Sequence, residues 1–287
     1  MDRLDLCLCV STRNAAADLP GCIDSVRDWV SEIVVVDMES SDDTRSIARS
    51  YGATVVEVAA AGWAEPGRQS GIEAATRPWI LVLDSDERAA AGMREVVARY
   101  VGQDEVAGVW LPRQNFQFGW WMPNAGNWPD WQLRLFAREH THWPGHRTHV
   151  SAQVDGRCER APMRTENAIV HHSFASVSEV VVKTNGYTDL EVDRYERDGV
   201  RPTLTRLFLL PLARFLDQYV RHRGYRGGRY GLSLALMSWV YWLTAEIKLW
   251  ERGLSRESLP AGSIPIDADA AVGDPSTARN TASPRSR

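Results

Sequence analysis

The 287-residue chain has no Cys-x-x-Cys pair, no long uninterrupted apolar run and no strong net charge. Each absence excludes something. Its four cysteines (Cys7, Cys9, Cys22 and Cys158) form no metal-knuckle or disulfide framework. Cys7 and Cys9 alternate along an apparent strand and are expected to pack as small apolar residues in a reducing compartment. The apolar stretch from Leu234 to Ala245 is interrupted by Ser238 and Thr244. It falls short of the about 20 residues that a bilayer crossing requires. A formal net charge of −4 makes no case for nucleic-acid binding. The opening residues, MDRLDLCLCV, are too short and too acidic for a signal peptide, which predicts a cytoplasmic protein. Six of the seven histidines lie between 140 and 172, yet no cysteine pair or HExxH helix joins HTHWPGHRTH to suggest structural zinc. The segment STRNAAADLPG lacks a glycine-rich phosphate loop, which argues against a nucleotidyltransferase.

What is present is a regular alternation. LDLCLCV (4–10), EIVVVD (32–37), ATVVEV (53–58) and WILVL (79–83) are apolar runs bounded by turn formers, the pattern of strands buried on both faces. Between the first two, Leu19, Cys22, Ile23, Val26 and Val30 recur at helical spacing. Ser40 to Thr44 signal a helix start, and residues 67–76 suggest a further helix. Strands joined by helices at such short intervals predict an α/β open sheet with ligands beyond the carboxyl ends of its strands. Asn14, Asp37 and Asp84 all fall at those ends. A helix is expected over 89–101 and a strand over 106–112. Residues 115–149, with Trp120, Trp121, Trp128, Trp131 and Trp143, read as loop-rich structure containing the strand LRLFA.

The segment ILVLDSDER (80–88) runs four apolar residues into three closely spaced carboxylates. Such crowding is tolerable in a solvated turn or around a cation. Acidic groups at i and i+2 after a strand are able to hold Mg²⁺ or Mn²⁺ with positions left open for phosphate oxygens. Asp84 and Asp86 are therefore candidate metal ligands, and Glu87 is expected to be a helix-start charge.

Beyond residue 176 the pattern becomes helical. Residues 203–223 and 230–253 are apolar helices, and the span 201–255 holds nine Lys/Arg against three Asp/Glu. This predicts a peripheral contact with an anionic membrane surface on its inner face, against the alternative of a buried helical hairpin or subunit contact. Residues 256–287 have little to bury and are expected to form a disordered tail.

CVSTRN, VVVDMESSDDT and LVLDSDE, in that order, resemble the inverting family 2 glycosyltransferases. PDWQLRLFAR, IVHHSF and IKLWERG are similar to the branch that builds bacterial lipopolysaccharide cores. The likeness spans about residues 4–252. It implies a GT-A fold, with a catalytic domain over 1–175 and a helical extension over 176–255. The implied activity is metal-dependent, inverting transfer of a hexose or heptose from a nucleotide-sugar donor, such as a UDP-sugar, to a glycan or lipid-linked acceptor. By the same resemblance Ser11, Thr12, Arg13, Asn14, Asp37, Arg68 and Asp84 bind the donor. Asp86 is the main metal ligand, with Asp84 and His171 as partners. The base is expected to be Asp130, its pKa raised by desolvation, with His149 as the alternative. Four positions depart from the family. Glu39 stands where glycine is usual and Gln69 where Asn is. Arg77-Pro78 replaces a glycine-acid turn. Thr148-His149-Val150 lacks the glutamate of a common His-Glu pair. That missing glutamate motivates a second reading, an inactive membrane scaffold.

Overall fold

The computed structural model describes residues 2–60, 65–121, 123–144 and 151–254. Strands β1 (Leu4–Thr12), β2 (Val30–Asp37), β3 (Thr54–Glu57) and β4 (Trp79–Asp84) are joined through helices α1 (Leu19–Asp24), α2 (Thr44–Ser50) and α3 (Glu65–Ala74). All four strands run parallel in the spatial order β3-β2-β1-β4. Their apolar runs have the predicted two-sided burial. Leu6, Leu8 and Val10 enter one core layer with Leu81 and Leu83, while Cys7 and Cys9 enter the opposite layer with Ile80 and Val82. Successive side chains of a strand point to opposite faces, so a strand covered on both sides must be apolar throughout. The three N-terminal cysteines are buried and free, as expected of small packing residues, and Cys158 is free and exposed.

After β4 the chain departs from the parallel pattern. A short strand, β5 (Glu87–Ala89), precedes α4 (Met93–Tyr100), so Glu87 begins a strand and not the expected helix. It is fully buried. Strand β6 (Gly108–Gln117) runs five residues beyond the expected strand end, and after β7 (Trp120–Trp121) comes β8 (Asp130–Ala137). The expected strand LRLFA therefore extends back to include Asp130. β8 lies antiparallel between β4 and β6, which brings Arg113 of β6 opposite Asp130. Two short strands, β9 (Thr141–His142) and β10 (Gln153–Val154), pair with each other. β11 (Cys158–Arg160) and β12 (Ile169–Phe174) both pair with β6. The mixed open sheet flanked by helices, with helices at its C-terminal end, is the GT-A arrangement that the resemblance implies.

The C-terminal helices are α5 (Val177–Arg197), α6 (Leu204–Leu216) and α7 (Gly228–Leu254). Ser176 caps α5 by accepting the Glu179 N–H, and the Glu179 carboxylate accepts the Ala175 N–H. Val192, Tyr195, Ala245 and Leu249 knit α5 to α7. Arg206 of α6 donates twice to the fully buried Glu246 of α7, at 2.6 and 3.2 Å. No helix among the described residues is long and apolar enough to cross a membrane. Leu204, Phe208, Leu212 and Leu216 form an exposed apolar stripe along α6, continued on α7 by Leu232, Leu236 and Trp239. The predicted tail, 256–287, lies outside the described residues.

Helix α3 approaches β1 closely enough that Gly71 has no room for a side chain. A Cβ there would collide with Cys9 Sγ and stand 3.2 Å from Val36 Cγ2. We expect Gly71→Ala to lower stability by about 1–3 kcal/mol, the cost of overpacking a filled core, measured from the urea midpoint. An unchanged midpoint would contradict this packing of α3.

Candidate active site

Register aligns the predicted site. Thr12 pairs with Asp37 across β1 and β2, and Ser11 pairs with Asp84 across β1 and β4. The ends of three parallel strands therefore present their polar residues along one rim. Ser11 Oγ, Thr12 Oγ1 and Asp37 Oδ1 are buried there without a hydrogen-bond partner among the described residues. Buried polar atoms that lack partners carry a desolvation cost unless a ligand satisfies them. The other oxygen of Asp37 accepts the Ser40 N–H at 3.1 Å and caps the turn. Asn14 sits at φ 51° and accepts the Ser41 N–H at 2.8 Å. Ser40 and Thr44 accept the N–H groups of Asn14 and Ala15. These bonds lock the loops after β1 and β2 together. Glu39 has φ 57°, the left-handed region that favours glycine. Glu39 thus takes a conformation that glycine adopts readily, at the position where the resemblance places a glycine.

The carboxylate crowding of DSDE is relieved mainly by guanidinium groups. Asp84 accepts from Arg68 at 2.6 Å and from Arg134 at 2.8 Å. Arg68 also lies over the Trp143 ring, 4.7 Å from its centroid. Glu87 accepts the Asp84 backbone N–H at 2.9 Å and pairs with Arg113 at 2.9 Å and Arg134 at 3.6 Å. Burial alone would raise the Asp84 carboxyl, but Arg134 and Arg68 override it and hold the group well below the usual carboxylate range. The sequence reading made Asp84 a second metal ligand. Here both of its oxygens are taken by arginines.

Asp86 differs. Its Oδ2 lies 3.5 Å from His171 Nε2, and its backbone carbonyl accepts the His172 N–H at 3.0 Å. His172 itself is exposed. His171 Nδ1 stands 2.7 Å from Asn115 Oδ1 and 3.0 Å from Ser173 Oγ. Asn115 Nδ2 in turn donates to Asp130 Oδ2 at 3.0 Å. A carboxylate oxygen and an imidazole nitrogen side by side fit a hard divalent cation that keeps further positions for phosphate oxygens. Among the described residues no group of three or more His, Cys, Asp or Glu forms a complete metal cage. Asp86 and His171 are two such side chains, facing each other in the cleft.

Asp130 is not the desolvated base expected from its tryptophan neighbours. Arg113 reaches it at 2.7 and 2.8 Å, Asn115 at 3.0 Å and Gln132 at 2.7 Å. Burial pushes its carboxyl up, but Arg113 and these hydrogen bonds bring it below its ordinary value. His149, the alternative base, lies outside the described residues.

A cleft of about 630 Å³ opens over the rim. Ser11, Thr12, Arg13, Arg68, Asp84, Asp86 and His171 line it; Asn14, Asp37 and Asp130 are not part of that lining. Residues not singled out from the sequence complete it, notably Arg113, Arg134 and, on α5, Lys183 and Glu191. The repeated acidic and basic residues of LRLFAR and of α5 offered no period or motif that marks them as lining a cleft.

Strand-end polar residues thus meet in one cleft at the rim of an α/β sheet, and sequence comparison gives the family. The family model "Glycosyl transferase family 2" matches residues 7–154, and the chain belongs to that family; it is a glycosyltransferase. The chain is 27% identical over 263 residues to the lipopolysaccharide core biosynthesis glycosyltransferase LpsC of Rhizobium meliloti (strain 1021), covering 87% of this chain and 93% of that protein. Among solved structures, S. aureus TarS 1-349 is 11% identical with a TM-score of 0.45, over 86% of this chain and 91% of that chain. Glucosyl-3-phosphoglycerate synthase from Mycobacterium tuberculosis is 15% identical with a TM-score of 0.41, over 69% of this chain and 79% of that one.

Removing Glu87 would leave Arg113 and Arg134 short of a buried counter-charge. We expect Glu87→Ala to cost about 3 kcal/mol in chemical unfolding, as for other broken buried pairs. A loss below about 0.5 kcal/mol, typical of a surface site, would contradict the network.

Proposed function

We propose that the chain transfers a sugar from a UDP-sugar to an envelope glycan or lipid-linked acceptor, with inversion, using Mg²⁺ or Mn²⁺ held by Asp86 and His171. The observation that carries this reading is the Asp86–His171 pair, 3.5 Å apart in the cleft over a rim of unpartnered polar atoms. Ser11, Thr12, Arg13 and Asn14 receive the nucleoside, and Asp37 accepts a donor from the base or ribose. Arg68 and Asp84 orient the ribose and diphosphate. The cation, when bound, neutralises charge on the leaving diphosphate.

The base is proposed from what remains in the cleft. Its carboxylates are Asp84, Asp86 and Glu191. Asp84 is held by two arginines and Asp86 faces His171. That leaves Glu191 on the α5 wall, whose Oε1 pairs with Arg194 of its own helix and whose carboxylate is not shared between two arginines as that of Asp84 is, to take the proton of the acceptor hydroxyl. A second cavity of about 460 Å³ supports the acceptor side. It shares Phe174 and Tyr241 with the cleft and contains Phe118 and Trp242 as aromatic walls. The amide oxygens of Gln117 and Gln218, which also line it, meet no donor among the described residues and suit sugar hydroxyls. The relative named for lipopolysaccharide core biosynthesis supports an envelope acceptor.

The membrane contact is proposed as in-plane. Arg206, Lys248 and Arg252 are paired within the helices, whereas Arg223, Arg226 and Arg229 are exposed next to the apolar stripe of α6 and α7. An apolar face with adjoining cations supports an anionic bilayer surface as its partner.

We expect UDP with Mn²⁺ to raise the melting temperature of the wild type. Asp86→Ala should erase the Mn²⁺-dependent part of that rise. Glu191→Gln should keep the whole rise and lose about 10²-fold or more in turnover. An Asp86→Ala protein with an undiminished Mn²⁺ effect would contradict the cation site. In flotation assays the protein should rise with vesicles containing anionic lipid, and Phe208→Asp with Leu212→Asp should abolish this; equal flotation of that variant would remove the surface assigned.

A further inference from the structure

Asp130 is held too firmly to serve as the base, yet it is bonded toward the cation site. Its partners are all donors: Arg113, Gln132 and Asn115 Nδ2. An ionised carboxylate has only acceptors to offer. The Asn115 amide is therefore turned with its NH₂ to Asp130 and its oxygen to His171. That oxygen stands 2.7 Å from His171 Nδ1. Two acceptors do not approach so closely, so Nδ1 carries the hydrogen. Ser173 Oγ, at 3.0 Å, shares that hydrogen as a second acceptor. In neutral imidazole one nitrogen donates and the other accepts, which leaves the lone pair on Nε2, facing Asp86 Oδ2 at 3.5 Å.

We propose that Asp130 is a positioning residue that acts through Asn115 to fix the tautomer of His171, keeping Nε2 bare for a divalent cation shared with Asp86. The inference rests on the reading of Asp86 and His171 as the cation ligands. The competing tautomer shows what the relay prevents. If Asn115 turned its NH₂ toward His171, Nδ1 would become the acceptor and Nε2 would carry the hydrogen. Nε2–H would then donate to Asp86, and one hydrogen bond would close off both ligands. Among the described residues, Asp130 is the group that fixes the amide on its other side, and Arg113 fixes Asp130. Arg113 also pairs with Glu87, three residues after Asp84. The arginine network and the cation pair are thereby connected through a single side-chain amide.

A base and a positioning residue respond differently to the same change. In the Asp130→Asn variant the new amide is able to present its oxygen to Arg113 and Asn115 while Gln132 turns its own amide to accept. The relay then survives and basicity does not. Asp130→Leu and Asn115→Leu both break the relay. The test is ¹⁵N–¹H correlation of the histidine rings in metal-free protein at pH 8.5, together with Mn²⁺ affinity in the presence of UDP from the EPR signal of free Mn²⁺. In the wild type and Asp130→Asn, we expect His171 as the Nδ1–H tautomer, Mn²⁺ affinity equal within about twofold and transfer activity retained. In both Leu variants the tautomer should shift toward Nε2–H. Mn²⁺ affinity should fall about 10- to 100-fold, the usual effect of losing a group that orients a metal-ligating histidine. UDP binding without metal serves as the folding control for both. Three results would overturn the proposal: an Nε2–H His171 in the wild type, unchanged Mn²⁺ affinity in folded Asn115→Leu, or lost transfer with intact Mn²⁺ affinity in Asp130→Asn. If the wild type shows the Nδ1–H tautomer but no Mn²⁺ binding, the cation reading fails while the relay geometry stands; the assigned role in holding the cation then falls with it.

Discussion

Three carboxylates and three guanidinium groups at the edge of the sheet hold the site together. Asp84, Glu87 and Asp130 are neutralised by Arg68, Arg113 and Arg134, which come from α3, β6 and β8. Taken singly, each charge in so enclosed a place would be costly. Taken together, nearly every oxygen finds a donor, and the alternating charges offset one another. The network requires β8 to lie antiparallel between β4 and β6, because only that order brings Arg134 to Asp84 and Arg113 to Asp130. It also singles out Asp86. Of the carboxylates in DSDE, Asp86 faces a histidine and, among the described residues, pairs with no arginine, which is why it is the one proposed for a cation.

The same constraint assigns labour within the cleft. The parallel half of the sheet contributes backbone turns and unpartnered polar atoms, which suit a nucleoside. The antiparallel half contributes charge and orientation. Helix α5 supplies a wall of the cleft through Lys183, Tyr187 and Glu191, and α6 and α7 carry the exposed apolar residues.

Much of the parallel half was legible in the sequence, because strands covered on both faces are apolar at every position and end abruptly in polar residues. The runs 4–10, 32–37 and 79–83 read as strands for that reason, and the site rim follows from the polar residues at or just after their ends. Glu87 was misread because a charge after a turn normally starts a helix, and nothing local reveals that Arg113, 26 residues later, folds onto it. Asp130 was found but its character was inverted. Its tryptophan neighbours suggested desolvation, whereas its partners Arg113 and Asn115 sit on an adjacent strand whose register no local pattern encodes. Glu39 illustrates the converse: the departure from glycine is visible in the sequence, but only the backbone shows that the residue there has a positive φ. Glu191 lies within an ordinary amphipathic helix and becomes notable only because α5 closes over the cleft.

On the proposed function, Asp86 and His171 together hold a divalent cation against the donor diphosphate. Anomalous diffraction at the manganese edge, from crystals grown with Mn²⁺ and UDP, tests it most directly. One strong peak is expected within coordination distance of Asp86 Oδ2 and His171 Nε2 and in contact with the diphosphate. UDP bound in the cleft with the manganese peak elsewhere, or with none, would contradict it.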